Sequence, residues 1–192
     1  MKYILASASP RRKELLAMAG LEFDVYAPQT DESFAEGTPP EDAVQLIAAK
    51  KAARVALLFP EDCVIAADTI VTIDGAILGK PKDHADAARM LRLLSSRTHQ
   101  VVTGVCLRLG GLKRVFAQTT DVTFYPLSED EIEAYIQTGE CADKAGAYAI
   151  QGRGGLFAAR LTGDYYNVVG LPIARLTREI AAFFSTEHNE GT

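Results

Sequence analysis

The chain is poor in the residues that make covalent or metal-stapled folds. Its 192 residues include only three cysteines, Cys63, Cys106 and Cys141, widely spaced and in no C-x-x-C pair. A disulfide framework and a structural zinc site are therefore not expected, and a reducing cytoplasm fits. Histidine is as scarce: His84, His99 and His188 do not cluster, which argues against a histidine metal centre. No apolar run approaches the roughly 18 residues of a membrane span. The run Tyr3-Ile4-Leu5 is too short for a secretory leader, and charge follows at Arg11. Positive charge is not in surplus either. With 20 Lys and Arg against 25 Asp and Glu the net charge is −5, so a sequence-independent nucleic-acid binder is not expected. There is no G-x-G-x-x-G and no G-x-S-x-G, which removes a dinucleotide fingerprint and a serine-hydrolase elbow. Gly75 to Lys80 approaches a P-loop but is one residue short between its glycines. It also has Pro81 where Ser or Thr must meet Mg²⁺.

What is present is ordinary globular composition, 48% hydrophobic and 23% charged. No repeat or linker divides the chain, so residues 1–185 read as one domain and 186–192 as a polar tail. The organising stretch is Ala6-Ser7-Ala8-Ser9-Pro10-Arg11-Arg12, between a short apolar strand and a helical pattern carrying Leu15, Leu16 and Ala19. Ser9 reads as an N-cap and Pro10 as the first helical residue. Arg11, Arg12 and Lys13 then crowd the positive end of the helix dipole, where cations are disfavoured. An anion at that helix start resolves the conflict, and a phosphate is the reading preferred over a solvated basic turn.

Farther along, Phe23 to Tyr26 predicts a strand, followed by a polar loop with adjacent acids Asp31 and Glu32. Thr38-Pro39-Pro40-Glu41 predicts a capping box and a helix to about Leu58, with Val44, Ile47, Val55 and Leu58 on one face. Lys51 falls within that apolar stripe, and two readings stand: it snorkels, or it reaches an anion in a cleft. Cys63 to Ile73 is the most strand-like stretch, closed by the hairpin pair Asp74-Gly75. Asp68 interrupts it. A buried carboxylate costs several kcal/mol unless paired or bound to metal, so a functional Asp68 is preferred to one at a strand bulge.

Asp83 caps a third helix. Thr98 to Leu109 and Lys113 to Tyr125 predict a long hairpin around Gly110-Gly111, with its apolar residues on one face and the other partly exposed or used for pairing. Ser128 to Glu131 is a second capping box. The glycines of Asp143 to Gly155 allow sharp turns or close approach to a ligand, and Gln151 among them can read a base edge. Leu156 to Leu161 predicts a strand, and Ile173, Leu176, Ile180 and Phe183 a last helix.

Six segments, in order, resemble the Maf family of nucleotide pyrophosphatases, also called septum-formation-inhibitor-like proteins. They are residues 6–12, Ala67-Asp68-Thr69-Ile70-Val71, Lys80-Pro81, Asp143 to Tyr148, Gln151 to Gly155, and Asn167 to Pro172. Ala8 departs little, at a variable position that is often Gly. The resemblance implies an α/β fold of the inosine-triphosphatase-like type, with a long mixed sheet and two lobes around a cleft. It implies cleavage of a nucleoside triphosphate between the α and β phosphates, with Mg²⁺ or Mn²⁺. Asp68 matches the proton acceptor, Arg11, Thr69 and Gln151 match positions tied to substrate choice, and Glu32, Lys51 and Lys80 match charged cleft positions. The Asp-Thr pair with Gln151 resembles the branch acting on dTTP and UTP.

On this reading Asp68, Glu32 and Lys80 form the catalytic set. Glu32 and Asp68 hold the metal or activate water; whether Asp68 is base or metal ligand stays open. Ser7, Ser9, Arg11, Arg12, Lys51 and Lys80 grip phosphates, and Thr69 and Gln151 face the base. The partner is a small nucleotide, not nucleic acid or membrane, and a homodimer is expected. The rival reading is a nucleotide-binding regulator of division without turnover, which would not need Asp68 and Glu32 together.

Overall fold

In chain order the elements are β1 (Tyr3–Leu5), α1 (Pro10–Met18), β2 (Phe23–Val25), α2 (Pro40–Ala56), β3 (Cys63–Ile73) and β4 (Ala76–Leu78). Then follow α3 (His84–Leu94), β5 (Thr98–Leu109), β6 (Leu112–Phe124), α4 (Glu129–Ile136), β7 (Ala158–Thr162), α5 (Tyr165–Val169) and α6 (Ile173–Ser185). This is a computed structural model, and it describes residues 1–185. The tail expected at 186–192, His188 included, lies outside the described residues.

The strands form one mixed seven-stranded sheet in the order β2-β1-β3-β5-β6-β7, with β4 also on β3. β1 runs parallel to β2 and β3, and the remaining pairs are antiparallel. The Asp74-Gly75 turn has positive φ at both residues, 52° and 78°, which a tight two-residue hairpin demands. Register between β3 and β5 is unbroken from Val64 to Thr72, so Asp68 opposite Gly104 sits in regular strand and not at a bulge.

Alternation along β3 divides its side chains between two layers. Val64 and Ala66 pack under α2 with Ala48, Ala52 and Val55. Cys63, Ile65 and Ala67 face the other way, with Leu15 and Leu16 of α1 and Leu176 and Ile180 of α6. Beyond Thr69 the strand enters another core, in which Val71 and Ile73 pack with Leu91 of α3 and Ile132 of α4. Asp68 and Thr69 therefore stand where the two lobes meet.

They also stand at a gap. β1 pairs with β3 only through Ile65, and β4 only from Val71. Among the described residues no strand covers that edge of β3 between those two pairings. The cleft opens in this notch.

Three local expectations are corrected. The helix at Pro40 has Pro39 as its N-cap and no side-chain cap; Thr38 lies one residue too early and donates to the Ala35 carbonyl instead. The β5–β6 hairpin turns at Gly110-Gly111 as expected, but β5 is central and buried on both faces along most of its length. Its second face is covered because Gly104 has no side chain. A Cβ there would lie 2.4 Å from the Val44 carbonyl carbon, so α2 lies directly on the strand. The strand expected from Leu156 begins at Ala158, after a tight 3-10 turn at Arg153–Phe157.

Candidate active site

Lys51 reaches the cleft because α2 projects it from the face that carries Ile47, Ala48, Ala52 and Val55 to the sheet. Its Nζ lies 2.7 Å from Asp68 Oδ1 and 2.7 Å from Glu32 Oε1. The snorkelling alternative is thus replaced by an ammonium clasped by two carboxylates. Glu32 is brought there by the neighbouring lysine: Lys50 Nζ donates to the Ser33 carbonyl at 2.7 Å and pairs with Asp31 at 3.8 Å, tying the polar loop to α2.

Opposite this cluster lies the start of α1. Ser7 Oγ accepts from the Ser9 backbone N–H at 3.2 Å and from Arg12 Nη1 at 3.2 Å. With both lone pairs taken, its O–H is left to donate to an incoming group. Ser9 caps α1 as expected, yet its Oγ is 3.5 Å from the Arg12 nitrogen, a loose contact that leaves the first turn receptive to an anion.

The two arginines separate in role. Arg12 turns inward, donating Nε–H to the Gly170 carbonyl at 2.8 Å and Nη2–H to Thr69 Oγ1 at 3.0 Å, besides Ser7. Burial works against its charge, and Asp68 and Glu32 compensate in part. Thr69 is committed in turn. Thr103 Oγ1 donates to the Asn167 carbonyl at 3.1 Å, so the 2.9 Å contact between the two threonines has Thr69 as donor. Arg11 and Lys80 line the cleft and have no hydrogen-bond or ion-pair partner among the described residues.

The cleft has a volume of about 920 Å³, and all ten predicted residues line it: Ser7, Ser9, Arg11, Arg12, Glu32, Lys51, Asp68, Thr69, Lys80 and Gln151. Five cationic side chains face three carboxylates there, on a chain whose net charge is −5. The surplus of local positive charge suits a polyanion of small-molecule size.

A profile for the family described as "Maf-like protein" matches residues 2–183. The chain belongs to the Maf family. The dTTP/UTP pyrophosphatase of Bacillus cytotoxicus is 52% identical over 184 residues, covering 96% of this chain and 96% of that protein. The dTTP/UTP pyrophosphatase of Bacillus pumilus is 51% identical over 180 residues, 94% of this chain and 95% of its own. Among solved structures, the Staphylococcus aureus Ham1 protein is similar over 65% of this chain and 72% of that chain, at 16% identity and a TM-score of 0.46.

In this Maf-family chain two residues of the resembling segment Asp143 to Tyr148, assigned no role from the sequence, also line the cleft. Asp143 and Lys144 form an ion pair on its wall. The hydrogen bond from Lys144, and after it the charges of Lys144 and Arg11, hold the Asp143 carboxyl below its usual range. Their signal was two opposite charges at the head of the glycine-rich stretch. The Gly170 carbonyl, which fixes Arg12, left no signal at all, because a backbone acceptor has no residue type.

Proposed function

We propose that this chain hydrolyses dTTP and UTP to the nucleoside monophosphate and pyrophosphate. The observation that carries the reading is the Glu32–Lys51–Asp68 cluster, beside two cations without hydrogen-bond or ion-pair partners among the described residues, in a cleft of nucleotide size. Curated relatives at about half identity over nearly the whole chain have that activity in their names.

In this mechanism Arg11, Lys80 and the Ser7 hydroxyl take the phosphate oxygens. They place the α-phosphorus for attack by water in line with the departing pyrophosphate. The water oxygen bonds to the α-phosphorus as the α–β bridging bond breaks, and pyrophosphate carries away the electron pair. Asp68 takes the water proton: Lys51 holds Oδ1, while Oδ2 has no protein partner among the described residues. Arg12 and Thr69 build the floor beneath the substrate. Gln151, exposed at the rim, offers an amide donor and acceptor that match the N3–H and a carbonyl of uracil or thymine.

The residues fit a divalent cation such as Mg²⁺ or Mn²⁺. Asp68 and Glu32 each give one oxygen to Lys51 Nζ, the remaining carboxylate oxygens would hold the ion, and a hard cation of this kind takes one or two carboxylates plus substrate phosphate. When bound, the ion would neutralise charge on the phosphates.

The same proposal places the enzyme in the cytoplasm, where its buried thiols persist, as a homodimer that sedimentation can check. No helix among the described residues is long and apolar enough to cross a membrane. The test is incubation with dTTP, UTP, CTP, ATP and GTP in Mg²⁺, with products identified. Monophosphate and pyrophosphate, formed fastest from dTTP and UTP, are expected. Tight nucleotide binding without pyrophosphate release would overturn the reading in favour of a regulator.

A further inference from the structure

The glycine-rich stretch does not use its glycines to approach a ligand. A Cβ on Gly152 would lie 2.3 Å from Glu140 Oε2. One on Gly154 would lie 2.9 Å from the Tyr135 hydroxyl, and one on Gly155 would lie 2.4 Å from the Ile150 carbonyl oxygen. The first two open room for a bracket that reaches over from the end of α4, and the third lets the turn close against its own Ile150 carbonyl.

That bracket consists of two side chains. Glu140 Oε1 accepts from the Tyr135 hydroxyl at 3.0 Å and from the Gly154 N–H at 3.1 Å, and its Oε2 accepts from the Arg153 N–H at 3.0 Å. The Tyr135 hydroxyl itself accepts from the Ala149 N–H at 3.2 Å. The chain between is a closed turn, with the Gly152 N–H on the Ala149 carbonyl at 3.2 Å. Gln151 is the residue at its tip. Backbone groups two residues before Gln151 and two and three after it are thus all fixed to one carboxylate and one phenol.

Burial raises the Glu140 carboxyl, but the hydrogen bonds from Gly154, Arg153 and Tyr135 outweigh it and hold the group below its usual range. Tyr135 is raised, by burial first and then by Glu140, so it stays a neutral donor. The phenol is anchored in the core, with its ring edge-on to Phe157 at 4.9 Å. Neither side chain lines the cleft.

We infer that Glu140 and Tyr135 are positioning residues for base selection, acting through the 149–155 turn on the side chain of Gln151. The inference rests on the reading of Gln151 as the group that meets the base. An anionic carboxylate accepting three hydrogen bonds is a stiff mount, and a base-reading amide loses discrimination when its backbone can shift.

The experiment compares Glu140→Gln, Tyr135→Phe, Gln151→Ala and the double variant Glu140→Gln/Gln151→Ala. Each is tested for kcat and KM with dTTP and GTP, and for inhibition by inorganic pyrophosphate. Glutamine keeps the shape of Glu140 but turns one acceptor into a donor facing the Arg153 N–H. Glu140→Gln is expected to lose about tenfold in dTTP-over-GTP selectivity. Most of that loss should appear in KM for dTTP, while inhibition by pyrophosphate, which reads the phosphate half alone, stays within about twofold of the parent. Tyr135→Phe, which keeps the packed ring, is expected to show a smaller loss of the same kind. It serves as the test if Glu140→Gln does not fold. The double variant should be no less selective than Gln151→Ala alone. Full selectivity in folded Glu140→Gln and Tyr135→Phe, with selectivity lost in Gln151→Ala, would overturn this inference alone, and so would additive losses in the double variant. Unchanged selectivity in Gln151→Ala would overturn the reading of Gln151 and this inference with it.

Discussion

Lys51 Nζ and Asp68 Oδ1 meet at 2.7 Å between α2 and the middle of β3, with both side chains largely buried. The two ends of this pair differ in what they can lose. Lys51→Met leaves Asp68 buried without its cation, and a loss of about 3 kcal/mol in stability is expected. Asp68→Asn keeps an amide oxygen for Lys51 to donate to and removes only charge and basicity. It should stay folded with turnover lower by about 100-fold or more. Urea unfolding and a dTTP assay on both variants check this; a folded Asp68→Asn with near-parental turnover would falsify the assignment of Asp68.

Arg11 and Arg12 are neighbours whose loss is expected to differ in its effect on stability. Arg11→Ala and Lys80→Ala remove side chains without protein partners among the described residues. The melting temperature should hold while KM for dTTP rises about tenfold or more, since a charge-assisted hydrogen bond contributes about 1.5–3 kcal/mol. Arg12→Ala strips donors from Gly170, Thr69 and Ser7, so stability and activity should fall together. Equal melting temperatures for Arg11→Ala and Arg12→Ala would contradict the division of labour.

His99 makes stability depend on pH. It is buried, its Nε2 is 2.8 Å from the Tyr148 hydroxyl, and burial pushes its pKa down to about 4 from 6.5, with Asp121 opposing. The unfolded chain takes up a proton below 6.5 that the folded chain refuses until about 4. The stabilisation is therefore complete above pH 6.5 and is lost as pH falls towards 4. Between pH 7 and pH 5 the loss from this residue is about 2 kcal/mol. His99→Gln should flatten the pH dependence of the urea midpoint by that amount, and an unchanged slope would exclude His99 as its source.

Gly104→Ala tests how α2 is seated. The added methyl would lie 2.4 Å from backbone at Val44, which no rotamer can relieve, so α2 must lift. A loss of about 2 kcal/mol or more is expected. Because α2 carries Lys51, kcat should fall as well, although Gly104 is not among the residues lining the cleft. A variant with parental stability and kcat would show that the helix yields freely.

The sequence exposed those site residues that break a local pattern. Asp68 stood out as charge in an apolar strand, Lys51 as charge on an apolar helix face, and Arg11 and Arg12 as cations at the wrong end of a helix dipole. Each misfit marked a missing partner without naming it. That Lys51 is the partner of Asp68 depends on α2 crossing β3, a contact between residues 17 apart that no periodicity encodes. Gly104 and Gly152 were opaque for the same reason: what fills the space of the absent side chain comes from Val44 and Glu140. The alternation of β5 suggested one covered face, that of Val101, Thr103, Val105, Leu107 and Leu109; the other is covered as well, because α2 lies against it at Gly104.

Asp68 and Thr69 are adjacent in the chain and belong to opposite faces of β3, one meeting Lys51 and the other Arg12. The strand thus has a reading frame. Deleting one residue between Ile65 and Asp68 would set the Thr69 hydroxyl against Lys51 and Ile70 against Arg12, and inserting one would set Ala67 against Lys51 and the Asp68 carboxylate against Arg12. Substitution can tune either position separately, whereas an indel there disables both at once. A library of single-residue indels across 63–73 should therefore lose activity over a sharply bounded interval, while the loop at 26–39 tolerates length changes away from Glu32.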